Sequence, residues 1–331
     1  MIDDLVSDVF GPGSAITSRI RLPGGASRET WALDVIVPDG VVPDGVRHEL
    51  ILRLDSPGTV PDSGIGSAGI GLAGEARLMR AAETAGVPVP RVLAAGESYI
   101  LMSRVDGETI PRRILRDDAF TDARPLLAAQ CGEILAAIHR MPLVSLTPGT
   151  DLGVSAGRRS IEPDDPLRSW RDILDLTGSS HPVFELAFRR LAGCRPASER
   201  VTVVHGDFRN GNLVIGPDGV RSVLDWELAH AGDPMEDLGW LCVKSWRFGS
   251  PLPVGGFGEY ERLVQSYERA SGYPVDRDAL RWWETFGVLK WGIICVTQTL
   301  RHLEGGARSV ELAAIGRRVC ETEWDLLEAL G

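Results

Sequence analysis

The sequence predicts an α+β chain of two lobes: an antiparallel β amino-terminal lobe carrying one helix, then a mostly helical carboxy-terminal lobe. Three observations carry that expectation. Residues 14–54 are rich in β-branched and alternating runs, the text downstream of Arg124 turns to helical periodicity, and a compact strand-and-hairpin unit at 202–225 interrupts the helical half. The 331 residues suffice for one large or two medium domains with a sizeable core. The division is expected at 104/105, with residues 1–104 forming the β-sheet lobe and 105–331 the helical lobe.

In the first half, strands are expected at Ile16–Leu22, Glu29–Val37 and His48–Leu54, with turns at Gly24-Gly25 and Pro38-Asp39-Gly40. The Gly-, Ser- and Pro-rich stretch 56–74 reads as a loop. Within it, Gly64–Gly69 matches G-x-G-x-x-G. The Rossmann reading fails, because Pro61-Asp62-Ser63 precedes the motif where a strand is required and Val87-Pro88-Val89-Pro90 stands where the acidic strand end should be. Ala76, Met79, Ala82 and Glu83 give helical spacing to Glu75–Ala85, with Gly86 as the C-terminal stop and prolines beyond it. Pro90–Ala94 and Tyr99–Ser103 complete five strands.

In the second half, apolar positions 126, 127, 131, 134, 135 and 138 make Leu126–His139 a core-facing helix ended by Pro142. His139 is better read as a hydrogen-bonded helix-terminal residue than as part of a site. Residues 144–170 are loop-like, and helices are expected at Pro234–Trp246, Gly258–Ser271, Arg277–His302 and Arg308–Leu330. Trp246, Trp282, Trp283 and Trp291 are dense there; helix–helix core outweighs an aromatic wall of a binding pocket.

Charge and composition remove several function classes. Lys+Arg total 35 against 46 Asp+Glu, a net −11, which argues against a general nucleic-acid or anionic-membrane binder. The segment MIDDLVSDVF lacks the basic region and apolar core of a signal peptide, and Val288–Leu300 is too short and polar to span a bilayer, so a cytoplasmic protein is expected. Five scattered cysteines without a C-x-x-C pair read as reduced thiols. Lys244 and Lys290 are the only lysines.

The chemistry is concentrated in residues 202–240, TVVHGDFRNGNLVIGPDGVRSVLDWELAHAGDPMEDLGW. Thr202–Val204 is a short buried strand ending at His205, and Gly206 permits a tight turn from which Asp207 projects. Leu213–Ile215 and Val220–Leu224 flank Gly216-Pro217-Asp218-Gly219, a strong turn signal, so the hairpin brings Asn212 and Asp225 together across thirteen positions. An amide oxygen and a carboxylate are hard ligands that suit Mg²⁺ bridging nucleotide phosphates. The order H-x-D-x-x-x-x-N, hairpin, Asp is that of kinases.

HGDFRNGNL, VLDWE and GDPMEDLGWL together resemble the aminoglycoside phosphotransferase-like family of small-molecule kinases. They are most similar to the branch related to phosphotransferase domains fused to acyl-CoA dehydrogenases. The resemblance covers nearly the whole chain and implies a protein-kinase-like two-lobed fold. It implies Asp207 as catalytic base, Asn212 and Asp225 as metal-binding residues, and His205 and Asp233 as support. It also implies transfer of the γ-phosphoryl of ATP, or alternatively GTP, with Mg²⁺, to a small-molecule hydroxyl acceptor. The loop at Gly24 and Gly25 would lie over the phosphates, with Ser27 or Thr30 hydroxyls in reach.

Arg53 stands where kinases usually place a phosphate-holding lysine, and Glu75 is its candidate ion-pair partner. The plainer alternatives are a surface strand arginine and a glutamate suited to a helix N-terminus. Main-chain groups around Ser103 and Val105 would meet an adenine edge, with Met102 at the pocket's back or simply in the core. Within the family, acceptors include aminoglycosides, choline, homoserine and hydroxyacyl-CoA compounds, and the branch favours a hydroxyacyl-type metabolite. The rival reading is a nucleotide-binding pseudokinase or regulatory module, prompted by Arg53.

Overall fold

A computed structural model describes residues 2–22, 28–38, 45–55, 70–146, 165–197, 200–304 and 309–331. After helix α1 (Ile2–Phe10), strands β1 (Ala15–Leu22), β2 (Arg28–Val37), β3 (Val46–Asp55), β4 (Val92–Gly96) and β5 (Tyr99–Ser103) build one antiparallel sheet in the order β1-β2-β3-β5-β4, and helix α2 (Gly71–Thr84) lies between β3 and β4 in sequence. The five expected strands are all present. Helix α1 is additional to the expected elements: Ile2, Leu5, Val6, Val9 and Phe10 recur at helical spacing and pack, with Val6 buried, against the cluster of Leu33, Val35, Leu50, Leu52 and Leu101.

Strand alternation decides what each face of this sheet does. Leu50 and Leu52 point to the α1 side. Ile51 and Arg53 point to the opposite side, where α2 contributes Leu72, Ala76, Met79 and Ala82 to the main core. Because β2 and β3 pair Thr30 with Arg53 and Arg28 with Asp55, Arg28 shares the face of Arg53. Glu75 is the fifth residue of α2, rather than lying at its start, and is fully buried in the helix's apolar stripe. A buried carboxylate there requires cationic partners, and this face of the sheet supplies them.

The helical half holds α3 (Pro111–Arg116), α4 (Arg124–Ile138), α5 (Pro166–Leu176), α6 (Pro182–Gly193), α7 (Met235–Cys242), α8 (Tyr260–Ser271), α9 (Arg277–Leu303), α10 (Val310–Gly316) and α11 (Val319–Leu330). Helix α5 begins inside the stretch expected to be loop. Asp165 caps it and Pro166 occupies its first turn, a strong start signal hidden among prolines and acidic residues. The expected last helix is two, broken at Arg317–Arg318.

Strand β6 (Thr202–Val204) pairs with β9 (His230–Gly232), and β7 (Leu213–Gly216) with β8 (Gly219–Val223), so the predicted hairpin is present. Gly239 lets α7 approach α9 closely: a Cβ there would lie 2.7 Å from the Trp283 side chain and main chain. Trp246, Trp282 and Trp283 are buried core, as expected, and Trp291 is only partly buried. All five cysteines are free thiols. Among the described residues no helix is long and apolar enough to cross a membrane.

Candidate active site

Strand β6 ends at Val204 and releases the loop His205–Gly206–Asp207. Gly206 has φ of +81°, and a Cβ would lie 2.5 Å from the Leu228 carbonyl oxygen, so only glycine fits. The loop is gripped from α7: both carboxylate oxygens of buried Asp237 accept main-chain N–H groups, from His205 at 2.8 Å and Gly206 at 2.9 Å. His139 Nε2 faces the same carboxylate at 3.2 Å, and His139 Nδ1 meets the Tyr267 hydroxyl at 2.9 Å. Burial works to raise the Asp237 carboxyl. The hydrogen bond and charge of His139 outweigh it and hold the group below the ordinary carboxylate range.

The resemblance pointed to Asp233 as support. Its side chain accepts from the Met235 N–H at the start of α7, in the segment that follows the loop, while Asp237, four residues on, holds the loop itself. His205 does support the loop. Its Nδ1 accepts from the Asp207 N–H at 3.2 Å while Nε2 donates to the Leu224 carbonyl at 3.1 Å, a neutral tautomer, and burial lowers its pKa. The ring thereby ties the loop of Asp207 to the strand end that delivers Asp225.

The hairpin ties Asn212 to the strand end that precedes Asp225. The Leu224 N–H donates to the Asn212 carbonyl at 2.8 Å, and the Asn212 amide nitrogen donates to the Asp207 carbonyl at 3.0 Å and to Asp207 Oδ2 at 2.6 Å. That orientation turns the Asn212 amide oxygen away from Asp207. Asp225 adopts φ of +65°, a left-handed conformation that costs a non-glycine residue about 1 kcal/mol or more. Burial raises its pKa, and the charge of Asp207 raises it further.

Two carboxylates that repel each other, beside an amide oxygen, form a donor set that fits a divalent cation. Among the described residues no cluster of three or more His, Cys, Asp or Glu is built to hold a metal. Magnesium does not need one, since it is commonly held by one or two protein groups with phosphates and water.

Arg53 and Glu75 form the expected ion pair, Arg53 Nη1 donating to Glu75 Oε1. The helix N-terminus alternative for Glu75 is therefore excluded. Burial works to lower the Arg53 pKa, and Glu75, Asp225 and Glu227 outweigh it, so the net direction is up. Its second Nη lies 3.9 Å from Asp225. Arg28, which sequence reasoning missed, donates to Glu75 Oε2 at 2.9 Å and to Glu227 at 3.1 Å. Burial and then the Asp225 charge push Glu227 up to about 7, outweighing the Arg28 contact.

Gly24, Gly25 and Ser27 lie outside the described residues. Met102 is buried and packs in the main core. The Ser103 N–H donates to the Arg91 carbonyl and the Arg104 N–H to the Glu49 carbonyl. The Val105 N–H makes no main-chain hydrogen bond among the described residues.

Two other residues close on Asp207: Trp240 Nε1 donates to its Oδ1 at 2.7 Å and Arg209 Nε to the same oxygen at 3.0 Å. Asp237, Gly239 and Trp240 follow one another on α7, and the i, i+3 spacing of Asp237 and Trp240 on one helix face was the signal available for both.

Comparison with known proteins agrees with this geometry. The model of the phosphotransferase enzyme family (APH) matches residues 20–283. A mouse relative, acyl-CoA dehydrogenase family member 10, is 31% identical over 221 residues, 62% of this chain and 19% of that protein. The chicken acyl-CoA dehydrogenase family member 11 is 26% identical over 286 residues, 77% of this chain and 35% of its own length. The chain thus spans between a fifth and about a third of those two relatives.

Among solved structures, a Ralstonia eutropha protein described as an aminoglycoside phosphotransferase superposes with a TM-score of 0.71 at 20% identity, over 99% of this chain and 97% of that one. A thermostable mutant of aminoglycoside phosphotransferase APH(4)-Ia, in complex with ADP and hygromycin B, superposes at 0.58 with 18% identity, over 99% and 97%. The chain belongs to the phosphotransferase enzyme family and has its kinase-like two-lobed fold.

Proposed function

We propose that this chain is a small-molecule kinase that transfers the γ-phosphoryl group of ATP to the hydroxyl of a small acceptor bearing an anionic group, of the hydroxyacyl or hydroxy-acid type. The observation that carries the phosphoryl-transfer part is that the Asn212 side chain hydrogen-bonds the Asp207 carboxylate while its main-chain carbonyl accepts from Leu224, the residue before Asp225. Asp207 accepts the acceptor's proton. Asn212 and Asp225 would hold Mg²⁺, which when bound would neutralise charge on the phosphates. Arg53, fixed by Glu75, steadies the phosphates from the β-sheet side. The Val105 N–H and the Ser103 main chain meet the adenine with Met102 behind, at the proposed division between residues 1–104 and 105–331. ATP rather than GTP is the donor carried forward, because related kinases are described in complexes with ATP and ADP.

Arg209 supports the anionic acceptor. Its Nε holds Asp207, its guanidinium lies 4.6 Å over the Trp246 ring, and among the described residues its two Nη groups meet no carboxylate. A guanidinium with its fork unpaired beside the base suits a carboxylate or phosphate on the acceptor better than a polycationic aminoglycoside. The likeness to the acyl-CoA dehydrogenase family members points the same way.

No observation favours the pseudokinase alternative: Arg53 is paired with Glu75 as a phosphate-binding lysine would be. The test is ATP consumption with Mg²⁺ over a panel of hydroxy acids, hydroxyacyl-CoA thioesters and aminoglycosides. Turnover with the anionic compounds supports the proposal, and turnover confined to aminoglycosides overturns the acceptor assignment.

A further inference from the structure

The geometry points to Trp240 and Lys290 as positioning residues that orient the Asp207 carboxylate and select which of its oxygens takes the proton; this rests on the reading of Asp207 as base. A carboxylate offers about four lone-pair sites, two on each oxygen. Oδ1 of Asp207 accepts from Trp240 Nε1 at 2.7 Å and from Arg209 Nε at 3.0 Å, so both of its sites are filled. Among the described residues Oδ2 accepts only from Asn212, at 2.6 Å, and keeps one site open. Oδ2 is therefore the proton acceptor. As the acceptor hydroxyl oxygen bonds the γ-phosphorus, its proton passes to Oδ2. The bond from the γ-phosphorus to the β,γ-bridging oxygen breaks with its electron pair leaving on ADP, and the proton is later lost to water.

Lys290 fixes this arrangement from α9. Its ammonium is almost fully buried and donates to the Gly206 carbonyl at 3.0 Å and to Glu236 at 3.1 Å. It also sits 4.6 Å from the Trp240 ring centroid. One cation thus touches both the peptide group that joins Gly206 to Asp207 and the ring that orients its side chain. A cation over an indole face draws density from the ring and strengthens its N–H as a donor. The close approach of Gly239 to α9 holds the two helices at the separation this contact needs.

A purely architectural tryptophan needs no such partner. Trp282 and Trp226 give their N–H groups to main-chain carbonyls, and among the described residues those of Trp246, Trp283 and Trp291 are buried without a partner.

The test combines kinetics with a spectroscopic signature in the full chain. The nine tryptophans give separate indole ¹H–¹⁵N signals, and Trp240→Phe identifies that of Trp240 by its loss. Asp207→Asn and Lys290→Met are each expected to move that signal upfield, with Lys290→Arg returning it part of the way. With Mg·ATP, ADP formation by Trp240→Phe is expected to show kcat lowered roughly tenfold to a hundredfold, with KM for ATP within about twofold of the parent.

A Trp240 signal unmoved by Asp207→Asn, or a kcat unchanged in Trp240→Phe, overturns the inference. If Lys290→Met does not fold, the Asp207→Asn signal and the Trp240→Phe kinetics still decide it. Absence of ADP formation in the parent protein would count against the proposed function instead, and the indole signal would still decide the positioning claim.

Discussion

Replacing Asp237 by asparagine tests the grip on the loop that presents Asp207. In the parent protein both carboxylate oxygens accept main-chain N–H groups, at 2.8 and 2.9 Å, and the side chain is fully buried. Asparagine keeps the shape but offers one oxygen, so its NH₂ must face either the His205 or the Gly206 N–H. One hydrogen bond to a charged group is lost, worth about 1.5–3 kcal/mol, and a buried donor is left unsatisfied at about 1–3 kcal/mol, giving roughly 2.5–6 kcal/mol in all. For 331 residues at about 2.1 cal/mol/K each, the unfolding entropy is about 0.7 kcal/mol/K, so the melting temperature should fall by about 4–9 °C.

Displacement of the loop by about 1 Å should also lower kcat on the order of a hundredfold. Differential scanning calorimetry and initial-rate measurement of ADP formation read the two effects. A melting temperature within 1 °C of the parent, together with unchanged kcat, would refute the reasoning from Asp237 to Asp207.

The pairing of Glu236 with Lys290 predicts an acid limb of stability. Burial works to raise the Glu236 carboxyl, but Lys290 and then His230 bring it down to about 2 from an ordinary 4.5. A lowered carboxylate stabilises the fold above its unfolded pKa and loses that contribution as pH falls. About 3 kcal/mol, from the difference between 4.5 and 2, should therefore disappear across that window. Urea unfolding at pH 7, 4.5 and 3 should show this decline in the parent and a flatter profile in Glu236→Gln; equal slopes would remove the pair from the account.

Arg53→Ala leaves buried Glu75 to Arg28 alone and should raise KM for ATP at least about tenfold, equivalent to roughly 1.4 kcal/mol. An unchanged KM would count against Arg53 as the phosphate ligand. Arg209→Gln should raise KM for an anionic acceptor about tenfold while leaving KM for ATP alone, in line with the loss of one charge-assisted contact. A rise confined to ATP would place Arg209 elsewhere.

Much of this is legible in the amino-acid sequence. The five strands and the hairpin that ties Asn212 to the residue before Asp225 follow from local rules: β-branched runs, a Gly-Pro-Asp-Gly turn and the fixed geometry of a two-stranded pairing. The Arg53–Glu75 pair was legible because strand alternation and helix position both constrain it. By contrast, Arg28 reaches Glu75 only through register with β3, which no local pattern in β2 announces. Asp237 and Trp240 look like parts of an ordinary amphipathic helix until β6 is seen beside α7. Lys290 sits on a long helix whose contact with Gly206 spans 84 positions, and no spacing rule carries information over that distance. Helix α5 was hidden by prolines that open the helix rather than break it.

The central claim is that Asp207 activates an acceptor hydroxyl for attack on ATP. The most direct measurement is transfer of label from [γ-³²P]ATP to an acceptor found in the hydroxy-acid and hydroxyacyl-CoA panel, comparing the parent with Asp207→Asn at equal nucleotide saturation. The account predicts a labelled phosphate ester with the parent and a fall of at least about a hundredfold in the variant, within the range for removing a general base. Transfer by Asp207→Asn at the parent's rate would contradict it.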